Sequence, residues 1–290
     1  MKILVTGARG QVGWELQRTL APLGEIVAFD RTHMDLADPD SVRRAIRDTR
    51  PNLIVNAAAY TAVDRAESER ELAHQINAVA PGLVAEEAKR VDSALIHYST
   101  DYVFDGEKPE PYLESDTPRP LNVYGASKLA GEQAIQQTGA RHLILRTSWV
   151  YGTRGNNFLL TILRLAKQRD DLSVVNDQFG APTWSRMIAQ ATALLVARGM
   201  PGEQGNGICN LTAGGQTSWY GFARAILELV PADAERRLEP SKLAAIPSAQ
   251  YPTPARRPRN SVLSHTQLES AFRLTMPDWK FSLRLCTQEL

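Results

Sequence analysis

The stretch "ILVTGARGQVGWEL" (Ile3 to Leu16) constrains this chain more than any other. A β-branched run breaks into glycines at Gly7, Gly10 and Gly13. Apolar residues then recur at helical spacing through Val12, Leu16 and Leu20. A strand that turns this tightly into a helix leaves free N–H groups and the positive end of the helix dipole facing the turn. Gly7 permits the turn, Gly10 lets backbone approach an anion, and Gly13 lets helix and strand pack closely. The spacing is G-x-x-G-x-x-G, one residue longer in its first gap than the common dinucleotide fingerprint. An ordinary glycine-rich turn would carry the same letters. Position favours a pyrophosphate cradle, because the turn sits at the first strand–helix junction. Asp30 ends the second strand about twenty residues on, where a carboxylate takes ribose hydroxyls.

The pattern continues along the first half. Short runs (Ile3 to Val5, Ile26 to Phe29, Leu53 to Val55, Ala94 to His97, Leu143 to Leu145) read as buried strands, separated by segments of helical spacing. Such alternation predicts an α/β, Rossmann-like, doubly wound parallel sheet with right-handed crossovers. Beyond about residue 150 the alternation loosens into helices around 158–168, 185–198 and 218–230, and "PSAQYPTPARRPRNS" (Pro247 to Ser261) is too proline-rich for regular structure. The expected organisation is a dinucleotide-binding core over residues 1–150. A smaller, mainly substrate-binding lobe follows over 151–290, with some segments returning to the core. A formal net charge of +1 argues against broad binding to nucleic acid or an anionic membrane. Two cysteines support neither a disulfide framework nor a thiolate cluster. No stretch reads as a signal peptide or a bilayer span, so the expected location is the cytoplasm.

The fourth strand leaves the sheet through "STDYVFDG" (Ser99 to Gly106), and "VYGASK" (Val123 to Lys128) follows. Tyr124 and Lys128, four apart, share one face of a helix. An ammonium one turn away stabilises phenolate, which suits Tyr124 as proton donor to a ketone reduced by hydride. Ser99 and Thr100 reach the crevice at the strand's carboxyl end, where a hydroxyl can hold a reacting carbonyl. Read blandly, the same residues are a solvated helix face and a turn.

These segments resemble the extended short-chain dehydrogenase/reductases that act on nucleotide-activated sugars. Longer stretches resemble the dTDP-4-dehydrorhamnose reductases among them: "NAAAYTAVDRAE" (Asn56 to Glu67), "STDYVFDG", "VYGASKLAGE", "RTSWVYG" (Arg146 to Gly152), "DQFGAPT" (Asp177 to Thr183) and "RPRNSVL" (Arg257 to Leu263). The likeness runs from residue 1 to about 265. It implies reduction of the 4-keto group of dTDP-4-dehydro-L-rhamnose by NADPH or NADH, in the making of cell-surface polysaccharide. Thr100, Tyr124 and Lys128 would be catalytic. With Gly7 and Gly13 shaping the turn, Gly10, Gln11 and Val12 would lie on the pyrophosphate. Asp30 would meet the ribose, Asp35 and Leu36 the adenine, and Ala58, Ala59, Tyr60 and Thr61 the cofactor's middle; Tyr124 and Lys128 would also contact it. Thr100, Asp101, Trp149 and Arg257 would contact the sugar nucleotide, Arg257 as a diphosphate clamp. From pattern alone, Asp35–Leu36 is equally a helix-cap region, Trp149 a core aromatic, and Arg256–Arg257 a solvated pair. Asp30 repels a 2′-phosphate and Arg31 attracts one, so both cofactors are expected to serve.

In the related 4,6-dehydratases the corresponding stretch reads Ser-Thr-Asp-Glu. Tyr102 replaces that glutamate here, which favours reduction over elimination. Magnesium, linked to some relatives through carboxylates at a subunit contact, would fall to Glu15 and Glu289. Nothing in their sequence surroundings supports it, and no metal site is assigned. A homodimer is carried as an open expectation. The rivals are a nucleotide-sugar epimerase or other ketosugar reductase, and a non-catalytic regulatory subunit of the methionine adenosyltransferase type.

Overall fold

The computed structural model describes residues 1–199, 201, 207–231 and 236–290. Its first half runs β1 (Lys2–Thr6), α1 (Gln11–Thr19), β2 (Glu25–Phe29), α2 (Pro39–Thr49), β3 (Leu53–Asn56), α3 (Val63–Ala66), α4 (Arg70–His74), α5 (Ala80–Arg90), β4 (Ala94–Thr100), α6 (Val123–Thr138) and β5 (His142–Thr147). The second half runs β6 (Val150–Tyr151), α7 (Phe158–Gln168), β7 (Leu172–Val175), β8 (Phe179–Gly180), β9 (Thr183–Trp184) and α8 (Ser185–Arg198). It ends with β10 (Gly207–Asn210), β11 (Thr217–Ser218), α9 (Trp219–Leu229), β12 (Leu243–Ile246), α10 (Thr266–Phe272) and α11 (Trp279–Thr287).

One parallel sheet, in the order β10-β5-β4-β3-β1-β2, is the frame. Its strands alternate apolar side chains between two covered faces. Ile3, Val5, Leu53, Val55 and Ile96 pack with α1 and α8, while Leu4, Ile54, Leu95 and Ile144 pack with α2, α5 and α6. Burial on both faces explains why these strands read as continuous apolar runs. The strand β10 and the helix α8 lie in the second half of the chain, yet they extend this sheet and its α1 face. A third apolar cluster gathers Tyr151, Leu159, Trp184, Phe222, Trp279 and Leu283 around α7, α9 and α11.

The direction of winding reverses between β1 and β3, and sheets of this kind bind ligands at the carboxyl ends beside such a reversal. The two chains leaving those strands nearly touch. Gly7 adopts φ +67°, and a Cβ there would stand 2.9 Å from Ala57 and Ala58 backbone. A Cβ on Gly13 would stand 2.2 Å from the Gly7 carbonyl oxygen. No side chain fits at either place, so the spacing read from the sequence is a packing requirement.

Beneath the crevice Arg146 of β5 meets Glu132 of α6 through two bonds, 2.9 and 2.6 Å, with side chains 2% and 1% exposed. Removing one partner strands a buried charge. Glu132→Ala should therefore lower stability by about 3–5 kcal/mol. Glu228→Ala, at the exposed Arg224–Glu228 pair, should cost about 1 kcal/mol or less. Urea unfolding midpoints compare the two.

Candidate active site

The N-terminus of α6 is fixed before its side chains are considered. Asn122 caps it by accepting from Gly125 N at 2.8 Å, and Glu67 accepts from Val123 N at 2.9 Å. The Asn122 amide also donates to the Arg256 carbonyl at 2.8 Å, tying the helix to the proline-rich loop. Tyr124 and Lys128 follow on the face toward the sheet. The Lys128 ammonium is buried, donates to the Tyr98 carbonyl at 2.6 Å and lies 3.1 Å from His97 Nε2. Burial pushes Lys128 down to about 8, with the Glu132 carboxylate opposing.

Tyr124 stands beside Thr100, the last residue of β4. Burial pushes its phenol up to about 12; Thr100 pulls the other way and the Asp101 charge adds to the rise. Lys128, expected to lower that value, is engaged with β4 instead, and desolvation of the phenolate prevails. At neutral pH the phenol is therefore loaded with its proton. Thr100 Oγ1 donates to Asp101 Oδ1 at 3.0 Å, and the other Asp101 oxygen is buried without a partner among the described residues. Burial raises the Asp101 carboxyl to about 7, with the nearby Ser261 and Thr100 hydroxyls opposing. Tyr102 lies edge-on to Tyr124, ring centroids 5.9 Å apart, and is held protonated by burial and by Asp101. The buried hydroxyls of Ser99 and Thr147 have no partner among the described residues. A row of buried polar atoms at the carboxyl ends of β4 and β5 matches a polar ligand group in the crevice.

The opposite end of the crevice is built for a dinucleotide. Gly10 caps α1 without a side chain on the first-turn N–H groups, which leaves a helix N-terminus facing the turn. Gln11 and Val12 open that helix, and the Gln11 side chain accepts from Asn157 Nδ2 at 2.9 Å. Asp30 follows β2 and accepts from Thr32 and His33, which hold its carboxyl well below the usual range. Arg9, from inside the glycine turn, bonds Asp30 at 2.6 Å. Arg31 instead reaches Asp35 at 3.1 Å. Asp35 also receives the Ala37 N–H, and Leu36 is buried in the core beside Val42 and Ile46. Past β3, Ala58, Ala59, Tyr60 and Thr61 border the crevice. Buried Asn77 clamps Tyr60 from both sides, accepting its N–H and donating to its carbonyl, each at 2.9 Å. Asn77 sits in a π-helical turn over Gln75–Val79, a device that recurs at functional sites. The cradle without Cβ atoms, the open helix end and the carboxylate just past β2 fit a nicotinamide dinucleotide.

Just past β5, Trp149 takes a left-handed backbone, φ +45°, and stacks on Trp219 of α9 with centroids 3.5 Å apart. Arg257 bonds Asp64 at 2.8 Å and also meets Tyr102. It lines a cavity of about 700 Å³ with Arg256, Arg259, Tyr251, Asp105 and Glu107. Sequence reasoning missed Arg9, Asn77 and Trp219. A basic residue inside the glycine turn was a readable signal for Arg9; the other two meet the site only through folding.

Glu15 and Glu289 do not fit a cation. Arg186 of α8 lies between them, 3.1 Å from Glu15 and ion-paired with Glu289, so a guanidinium already answers both charges. Among the described residues no cluster of three His, Cys, Asp or Glu could hold a metal. Nor is any helix among them long and apolar enough to cross a membrane.

A switch-point cradle facing a Tyr–Lys helix places this molecule among the nicotinamide-dependent oxidoreductases of the extended short-chain class. A family model described as RmlD substrate binding domain matches residues 1–290. The dTDP-4-dehydrorhamnose reductase of Burkholderia thailandensis is 50% identical over 297 residues, covering 100% of this chain and 99% of that protein. That of Escherichia coli K12 is 49% identical, covering 100% and 98%. The solved Bacillus anthracis dTDP-4-dehydrorhamnose reductase in complex with NADP superposes with TM-score 0.91 at 36% identity, covering 100% and 99%. The chain belongs to the dTDP-4-dehydrorhamnose reductase family.

The rim around Asp30 yields a test. Arg9→Ala and Arg31→Ala should each raise KM for NADPH, by a factor on the order of ten, with a much smaller change for NADH. Equal losses for both cofactors would show that neither arginine reads the 2′-phosphate.

Proposed function

We propose that this protein reduces the 4-keto group of dTDP-4-dehydro-L-rhamnose to give dTDP-L-rhamnose, with NADPH or NADH as reductant. The observation that carries it is the junction of Thr100, Tyr124 and Lys128 beside the glycine cradle, in a chain that belongs to this reductase family over its whole length. Gly10, Gln11 and Val12 hold the dinucleotide's pyrophosphate at the α1 N-terminus, Asp30 its ribose, and Ala58 to Thr61 its middle. A bound reduced nicotinamide supplies the hydride. Residues 1–150 carry most of that binding and 151–290 most of the sugar nucleotide's.

Thr100 turns its hydroxyl proton from Asp101 to the ketone oxygen and holds it, and Tyr124 gives that oxygen the proton that completes the alcohol. Lys128 holds positive charge one helical turn below the phenol as its proton leaves. Trp149 walls the sugar, and Arg257 clamps the diphosphate while Asp64 keeps its fork in place. Asp101 anchors Thr100 and borders the sugar. Tyr102 presents a protonated phenol where elimination of water needs a carboxylate base.

Tyr124→Phe should lower kcat by about 10²- to 10⁴-fold with little change in cofactor affinity. Near-wild-type turnover would remove Tyr124 from the chemistry. In the wild type, one reduced cofactor should disappear per dTDP-rhamnose formed. An epimerase would instead retain its cofactor and consume none. With dTDP-glucose and NAD⁺ the protein should release no 4-keto-6-deoxy sugar; its accumulation would move the chain to the dehydratases.

A further inference from the structure

His97 has no part in the chemistry above. A histidine on an apolar strand reads as a core residue satisfied by its neighbours, and here it is fully buried on β4. The neighbours are what matter. Its Nε2 lies 3.1 Å from Lys128 Nζ, and its Nδ1 lies 3.0 Å from the Asn56 amide on β3. Asn56 in turn meets the Thr6 hydroxyl of β1 at 2.6 Å. Thr6, Asn56, His97 and Lys128 are 2%, 1%, 0% and 1% exposed, so no link is open to bulk water. One polar line thus crosses three strands and ends at the lysine of the site.

We infer that His97 is a positioning residue for Lys128, its ring anchored by Asn56 and Thr6 so that Nε2 gives a buried ammonium an acceptor. The inference rests on the reading of Tyr124 and Lys128 as the working pair. An ammonium has three N–H donors and no lone pair, so the ring nitrogen facing it must be bare. As the amide stands, Asn56 Nδ2 faces Nδ1 and the Asn56 oxygen accepts from the Thr6 hydroxyl, so holding the ammonium turns the amide over. The ring proton then sits on Nδ1, the Asn56 oxygen accepts it, and the amide nitrogen faces Thr6 Oγ1. In the orientation present in the structure, Nδ1 accepts and Nε2–H faces Nζ, which suits only a neutral amine. The Ala58 N–H, 3.3 Å from both Asn56 Oδ1 and Thr6 Oγ1, keeps Thr6 as its acceptor when the amide turns, so each charge state of Lys128 has its own sense of the line.

The surrounding charges do not replace this acceptor. On α6, Tyr124 is protonated and Glu132 is taken up by Arg146 of β5 through two bonds. Asp101, just past β4, acts on Tyr124. Burial depresses the ring of His97 well below its ordinary range and Lys128 depresses it further, which keeps the imidazole neutral and able to accept. Losing the acceptor harms the ammonium more than the amine, because an unsatisfied buried charge is the costlier state.

The test is the pH dependence of kcat/KM for NADPH-driven reduction of dTDP-4-dehydro-L-rhamnose. His97→Leu should move the basic limb to lower pH by about one unit, a loss of about tenfold on the alkaline side and far less near pH 6. His97→Gln, whose carbonyl can accept from Nζ, should restore the limb. Asn56→Ala keeps the ring but frees it, and should shift the limb the same way; it stands in if the leucine variant does not fold. A wild-type limb in the folded leucine or alanine variant, whatever the drop in rate, would overturn the inference. Lys128→Met separates it from the reading beneath: full turnover there would mean that the Tyr–Lys pair itself is misassigned.

Discussion

A lysine ammonium enclosed between a helix and a strand sets the terms for the rest of this site. Taking such a charge out of water costs several kcal/mol unless bonds replace the lost hydration. The Tyr98 carbonyl, 2.6 Å away, is the nearest replacement, and it belongs to the same strand that delivers Thr100. Satisfying Lys128 therefore also sets the height of α6 against β4, and with it the distance from Tyr124 to Thr100. The caps from Asn122 and Glu67 hold the same helix from its other end. The spacing of Thr100, Tyr124 and Lys128 and the removal of an orphaned charge are the same act of packing.

The crevice divides its polar load between two kinds of surface. Around Asp30 the groups are exposed and paired across short loops, so they can exchange partners with a ligand at small energetic loss. Below Tyr124 they are buried and fully committed. Of the five buried side-chain atoms without partners among the described residues, two are on Tyr151 and Asn210; those on Ser99, Asp101 and Thr147 stand at the ends of β4 and β5. Unpaired buried groups at that place favour a ligand rich in hydroxyls and disfavour an apolar one.

The second half of the chain does more than cover the first. Its strand β10 completes the sheet, and α8 packs on α1, which carries the glycine turn. Trp219 of α9 stacks on Trp149 from the end of β5, and a strained left-handed backbone at Trp149 is over-determined by that contact. Arg186 binds α1 to Glu289, joining the two carboxylates that the family resemblance alone had linked to magnesium.

Local pattern determined a good deal by itself. Five of the six strands of the sheet (all but β10), the helices at 158–168 and 185–198 and the glycine cradle were legible because each is a short-range consequence of side-chain period or backbone sterics. Tyr124 and Lys128 were legible as a pair because four residues make one helical turn. Tertiary structure alone decided what they do to each other. The lowered phenol expected from that spacing gave way to a raised one, because burial and the Tyr98 carbonyl outweigh a neighbour along the helix. His97 and Asn77 acquired partners 31 and 50 residues away, on Lys128 and Ser127, that no period in the chain encodes. Spacing determines which side chains share a face; only the packed fold fixes which of them lose water, and that loss decides their charge.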